Sequence, residues 1–123
     1  MACDSELFRV DSFTVDGEEW PFTDDSATIE GAAGFERDIS PSSNGQDYTT
    51  RKRVQRLIKM KLQFTGAKTP DDVSKVCEAQ IVMTNLHTGR RVRAGKCSLM
   101  SMGEIGTGPV DVQFAVLTPF QWL

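Results

Sequence analysis

Few residues in this chain could do chemistry. His87 is the sole histidine, and it stands in Leu86-His87-Thr88-Gly89, the composition of a solvent-facing turn. One imidazole excludes a multi-histidine metal site and leaves a Cys–His pair as the sole imidazole-activated nucleophile. Cys3, Cys77 and Cys97 are odd in number and widely spaced, with no CxxC pair. They read as free thiols of a reducing compartment. Cys77 falls on the apolar stripe of a predicted helix and reads as core. The run Gly103-Glu104-Ile105-Gly106-Thr107-Gly108 lacks the GK[ST] ending of a phosphate loop, and no helix is predicted after it. Acid pairs such as Glu18-Glu19 and Asp24-Asp25 have no spacing that selects a reaction. No catalytic residue, metal ligand or cofactor is expected, and the chain does not read as an enzyme.

The residues that stand out are basic. Arg51, Lys52, Arg53, Arg56, Lys59 and Lys61 bring six positive charges with no acid among them. They lie in residues 51–65, where Ile58, Met60, Leu62 and Phe64 alternate with Lys59, Lys61 and Gln63. A period of two marks a strand with one buried and one wet face. Read as one element, the strand is longer than a small core needs, so its polar face is expected to meet something outside the subunit. Nucleic acid is one candidate, since a small β-barrel can track a single strand. The overall charge of −3 and the lack of interleaved aromatics argue against it.

Charge is also divided along the chain. Residues 1–50 hold twelve acids and two bases, a net of −10, and residues 51–123 hold five acids and twelve bases, a net of +7. Either the halves neutralise each other inside one fold, or they form complementary surfaces. In the second case copies meet head to tail, and such a contact closes into a ring or runs on as a filament.

The elements that position these residues read as mainly antiparallel β. At 123 residues the chain, residues 1–123, is expected to be a single domain with one core. Residues 6–15 and 18–22 form a hairpin around Asp16-Gly17, with Pro21 at an edge. Residues 27–39 read as a strand in which Gly31 and Gly34 mark bulges or close backbone approach. Residues 40–50 read as a long polar loop carrying Tyr48. Thr69 caps a helix opened by Pro70, Asp71 and Asp72, with Val73, Val76 and Cys77 on its inner face, two to three turns in length. Residues 79–86 and 90–94 form a second hairpin, and residues 95–102 continue as strand or loop. Residues 110–117 alternate again, with Asp111 and Gln113 outward. The C-terminal Phe120 and Trp122 must dock on this subunit or a neighbour. The sum is about seven strands and one short α-helix in a sandwich or barrel. No apolar run approaches a membrane span, and the first residues lack the pattern of a signal peptide.

Gly34-Phe35-Glu36-Arg37-Asp38-Ile39, then a polar Gly-containing loop, Tyr48 and a long alternating strand, resembles the tail tube proteins of Mu-like and related contractile-tailed bacteriophages. The Val15-Asp16-Gly17 hairpin, the short helix after the strand and the Thr-Gly-Arg hairpin near Val92 fit as well, and the resemblance covers residues 10–117. It implies a tail-tube-like β-sandwich or barrel whose copies form hexameric rings. The rings stack into a tube through which DNA leaves the capsid. Pyocin tubes and the tube protein of type VI secretion systems share that architecture. Implied partners are further copies of the chain, a sheath, baseplate or tail-initiator and tail-terminator proteins, and genomic DNA in transient, non-specific contact. The implied place is the virion tail, assembled in the host bacterial cytoplasm, without membrane insertion.

On this reading residues 40–50 form an arm toward the next ring. Tyr48 anchors it, and Arg51, Arg53, Arg56, Lys59 and Lys61 make inter-subunit contacts. Lysines facing the lumen would hold phosphates, so Lys59 and Lys61 are expected to pair with acids of a neighbour, and Asp111 and Gln113 to line the channel. The alternative is a monomeric β-barrel module that binds single-stranded nucleic acid or a protein.

Overall fold

A computed structural model describes residues 6–65 and 68–123. Cys3 lies outside the described residues. Among them, ten strands and one short helix form a mainly antiparallel β structure. The strands are β1 (Ser12–Val15), β2 (Glu18–Glu19), β3 (Thr28–Glu30), β4 (Phe35–Ser40), β5 (Tyr48–Arg53) and β6 (Arg56–Leu62); after α1 (Pro70–Ser74) come β7 (Ala79–Thr84), β8 (Arg91–Met102), β9 (Val110–Val116) and β10 (Phe120–Trp122). The main sheet runs β2-β1-β7-β8-β9-β6-β3, with β10 also on β8.

The sheet curls and closes on itself. The outer edge of β6 takes β3 along its first half and the segment after β2 at its end. There the Thr23 N–H donates to the Lys61 carbonyl at 2.8 Å and the Gln63 N–H to the Pro21 carbonyl at 3.2 Å. On the other side of that segment, the Trp20 N–H donates to the Phe13 carbonyl at 3.0 Å. Closure joins the segment after β2 to the end of β6 and surrounds one core, with β3 left as a flap on the edge of β6. Phe13 and Phe114 sit at its centre with ring centres 6.1 Å apart, and Trp20 lies 6.4 Å from Phe114. Ile58, Met60 and Leu62 of β6 face Val110, Val112 and Phe114 of β9 within it. The alternation of these two strands thus gives the inner wall.

Local chemistry sets the ends as the sequence suggests. Asp16 and Gly17 turn with φ of 52° and 86°, the doubly left-handed conformation of a two-residue hairpin. Thr69 and Asp72 form a capping box: the Thr69 hydroxyl accepts from the Asp72 N–H, and the Asp72 carboxylate accepts from the Thr69 N–H at 3.1 Å. The helix is shorter than its composition predicts, five residues in place of two to three turns. Val73 and Val76 are buried, but Cys77 lies past the helix end and is exposed, so its assignment to the core does not hold.

Three further expectations are revised. Residues 27–39 are not one strand; they break at Gly31–Gly34 into β3 and β4. Residues 51–65 are not one strand either. They break at Val54-Gln55, leaving β5 outside the barrel and β6 inside it. Residues 40–50 are not a bare loop: β4 and β5 pair from Phe35↔Arg53 to Ser40↔Tyr48 as a separate two-stranded sheet. The longest strand is the twelve-residue β8. It is shared by β7 on one edge and by β10 and β9 in turn on the other. The C-terminal aromatics dock on this subunit through β10, and Trp122 meets Phe8 edge to face at 5.2 Å.

Candidate assembly surfaces

The β4–β5 hairpin projects from the barrel with nearly every residue exposed. Its root is closely packed, Gly31 against backbone and Gly34 against a side chain. A β-carbon on Gly31 would lie 2.1 Å from the Gln55 carbonyl oxygen, and one on Gly34 would lie 2.3 Å from the Arg56 guanidinium. Both glycines have positive φ, 65° and 80°, a conformation that costs other residues energy. The Val54 N–H donates to the Gly34 carbonyl at 3.2 Å. The arm is therefore aimed by its base.

Residues opposite each other on a two-stranded ladder share a face. One face of the hairpin carries Phe35, Arg37, Ile39, Thr49, Arg51 and Arg53; the other carries Glu36, Asp38, Ser40, Tyr48, Thr50 and Lys52. Arg37 and Arg51 lie over the Phe35 ring, 4.7 and 4.2 Å from its centre. Tyr48 is half exposed, and its hydroxyl accepts from the Asn44 side chain at 3.3 Å, which ties the hairpin turn. Of the basic residues singled out in the sequence, Arg51 and Arg53 stand on one face of the arm and Lys52 on the other. Arg56 is half buried beneath Gly34 at the root, so it braces the arm and is not freely presented.

Lys59 and Lys61 belong to a second surface, the outer face of β6 and β9. The register sets Lys59 opposite Gln113 and Lys61 opposite Asp111. The residues assigned to a neighbour's contact and those assigned to the lumen thus lie side by side. Lys59 also bonds Glu30 of its own chain at 3.0 Å, where an acid of a neighbouring subunit was expected. The four charges Lys59, Lys61, Glu30 and Asp111 sum to zero.

Sequence reasoning overlooked Phe35, Arg37 and Ile39 as partners of the basic segment. The signal was present: their alternation with Glu36 and Asp38, followed by Asn44-Gly45, is a hairpin pattern. His87 sits in a turn built by Asn85, whose side-chain oxygen accepts from the His87 and Thr88 N–H groups at 3.0 and 3.3 Å. Among the described residues no cluster of three or more His, Cys, Asp or Glu is arranged to hold a metal, and no helix is long and apolar enough to cross a membrane.

A closed antiparallel barrel with a short helix and a projecting, base-anchored hairpin defines a tail-tube-like β fold. Solved structures bear this out. A chain of the PVC extracellular contractile injection system, from its sheath/tube terminator in the extended state, superposes with a TM-score of 0.66 at 10% identity, covering 98% of this chain and 97% of that one. A chain of the PVC sheath-tube complex in the extended state gives 0.63 at 11% identity, covering 96% and 90%. A chain of the anti-feeding prophage tube-terminating cap gives 0.61 at 14% identity, covering 100% and 99%. No protein-family model and no curated protein matches the sequence. The similarity is one of backbone arrangement along the whole chain.

Proposed function

We propose that this chain is a structural subunit of a contractile tail, assembling into stacked hexameric rings around a channel for DNA passage. The observation that carries the reading is the hairpin. It is closely packed at its root, buries almost nothing in its own chain and presents charge and apolar surface together. Such an arm gains stability only against another molecule. On a fold shared with chains of injection-system sheath-tube and terminator assemblies, that molecule is first another copy. Tyr48, Arg51 and Arg53 then sit in the inter-subunit contact, with Arg56 holding the arm.

The outer β6–β9 face supports a channel wall. Asp111 and Gln113 bring Lys59 and Lys61 with them, and the balanced charge of this face would hold DNA weakly, whereas a net-positive wall would bind phosphates. A sheath, a baseplate or initiator complex and a terminator complete the apparatus. It belongs to the virion tail and is assembled in the bacterial cytoplasm.

A second reading has its own support: two of the three structures named above contain tube-terminating assemblies. On this reading the chain would form a single ring that caps a tube and does not elongate. Negative-stain electron microscopy of purified protein over a range of concentrations separates the cases. Stacked rings with a central hole support the tube subunit, and single rings support the terminator. A monomer at every concentration that retains single-stranded nucleic acid supports the monomeric binding module and overturns both.

A further inference from the structure

The arginine-bearing face of the hairpin is left unanswered by its own chain. Arg37 lies directly opposite Arg51, and Arg53 is next along the ladder. Like charges opposed across a strand pair are destabilising. Among the described residues none of the three guanidiniums has a carboxylate partner. The Phe35 ring stands on one side of the Arg37–Arg51 pair and Ile39, which is 70% exposed, on the other. The face is cationic with apolar anchors, so it fits a surface that is acidic with an apolar floor.

The same chain carries such a surface elsewhere. A groove of about 540 Å³ runs along β3, with Phe8, Val10, Ala27, Ile29, Ala32 and Trp122 as its apolar lining. Arg9, Asp25 and Thr28 also line it, and the adjoining rim adds Asp24 and Asp11. Arg9 bonds all three acids, at 2.9 Å to Asp11, 2.8 Å to Asp24 and 3.2 Å to Asp25. One guanidinium against three carboxylates leaves two negative charges beside the groove. Among the described residues β3 ends the sheet, and no strand pairs with its far edge. The chain's own hairpin does not occupy the groove, and the packing of Gly31 and Gly34 fixes where that hairpin points.

We propose that the β4–β5 hairpin of one copy docks in the β3 groove of the next. Phe35 and Ile39 lie on the apolar lining, and Arg37, Arg51 and Arg53 face Asp24 and Asp25. The inference rests on the self-assembly proposed above and assigns the two surfaces that meet. Hairpin and groove are different patches, so the contact is heterologous and can propagate around a ring or along a tube. Nucleic acid is the less suitable occupant of the arginine face. A phosphate chain answers the arginines but leaves Ile39 in water, whereas the groove answers both.

Charge exchange tests it. Arg37→Glu/Arg51→Glu and Asp24→Lys/Asp25→Lys are prepared separately and checked for folding by circular dichroism. Each alone is expected to raise the concentration needed for assembly by about a hundredfold, because like charges then meet at the contact. A 1:1 mixture is expected to restore assembly, since every hairpin then finds a groove of opposite sign. A second measurement places photoreactive benzoylphenylalanine at position 39 and mixes isotope-labelled with unlabelled protein. Crosslinks between copies are expected at Phe8 and at residues 27–32. If wild type assembles and both charge variants assemble equally well, the assigned contact is wrong while the tube reading stands. The same holds if only the arginine variant fails, or if crosslinks map elsewhere on the neighbour. Crosslinking to added nucleic acid in place of protein also overturns the contact. Wild type that never associates or crosslinks between copies overturns the contact and the self-assembly reading together.

Discussion

Gly31 packs against the carbonyl oxygen of Gln55 so closely that a β-carbon on it would stand 2.1 Å from that atom. This contact joins the turn before the hairpin to the break between β5 and β6, and so sets where the arm points. Gly31→Ala adds the cost of a left-handed non-glycine residue, about 1–2 kcal/mol, to a clash that only backbone movement relieves. Urea unfolding should show a loss of at least that size, and amide exchange at Gly34 and Val54 should speed up. Unchanged stability would show that the root yields freely and does not aim the arm.

Arg51→Glu/Arg53→Glu should leave a folded subunit. Both side chains are exposed and make no ion pair among the described residues, so the melting temperature should move little. Polymers seen by electron microscopy should disappear. Wild-type tubes from this variant would remove the basic strand from the assembly contact.

Phe114→Ala and Phe35→Ala separate core from arm. Phe114 is fully buried between Phe13 and Trp20, and its truncation should cost about 3–5 kcal/mol of unfolding free energy. Phe35 packs under Arg37 and Arg51 on an exposed ladder, where such contacts contribute about 0.5–1 kcal/mol each. Denaturant titration of the two variants reads the difference directly.

Asp72 should carry a small pH dependence. The Thr69 backbone N–H, followed by the Thr69 hydroxyl, holds its carboxyl below the ordinary value of 3.8. A depressed folded-state value means stability that is present above the unfolded value and lost as pH falls through the folded one. Wild type should therefore melt higher than Asp72→Asn at neutral pH, and the gap should close below about pH 4. Thr69→Ala removes the cap itself and should cost about 1 kcal/mol. A gap that persists at pH 2 would mean the carboxylate is not the partner that stabilises the cap.

The thiols should differ in reactivity. Burial pushes the Cys97 thiol up to about 12, whereas Cys77 is exposed. In a Cys3→Ser background, one thiol should react with a maleimide in native protein and a second only in denaturant. Rapid labelling of Cys97 in the folded state would mean that β8 opens readily.

Local sequence determined a good deal. Asp16-Gly17 made the first hairpin because both residues accept positive φ. Thr69-Pro70-Asp71-Asp72 began the helix because each of those residues suits its position there. The alternation of residues 58–62 and 110–116 fixed which side chains enter the core. It also drew attention to Arg51 and Arg53, since a run of cations with no acid nearby can be read without any structure.

Only the tertiary structure decided how these pieces are joined. β8 escaped recognition as one strand because its inward residues are Val92, Ala94, Cys97, Leu99 and Met102. Two register shifts against β7 and β9 break the period of two on which strand recognition depends. The division of residues 51–65 depends on Gly31 and Gly34 reaching Gln55 and Arg56, a contact between segments some twenty residues apart. Alternation gives Lys61 and Asp111 an outward face each, but it cannot say that β6 and β9 are neighbours. Side-chain period is a property of the local backbone, whereas register comes from long-range pairing that forms when the sheet closes. That closure placed Lys59, Lys61, Asp111 and Gln113 on one wall and left the hairpin outside it.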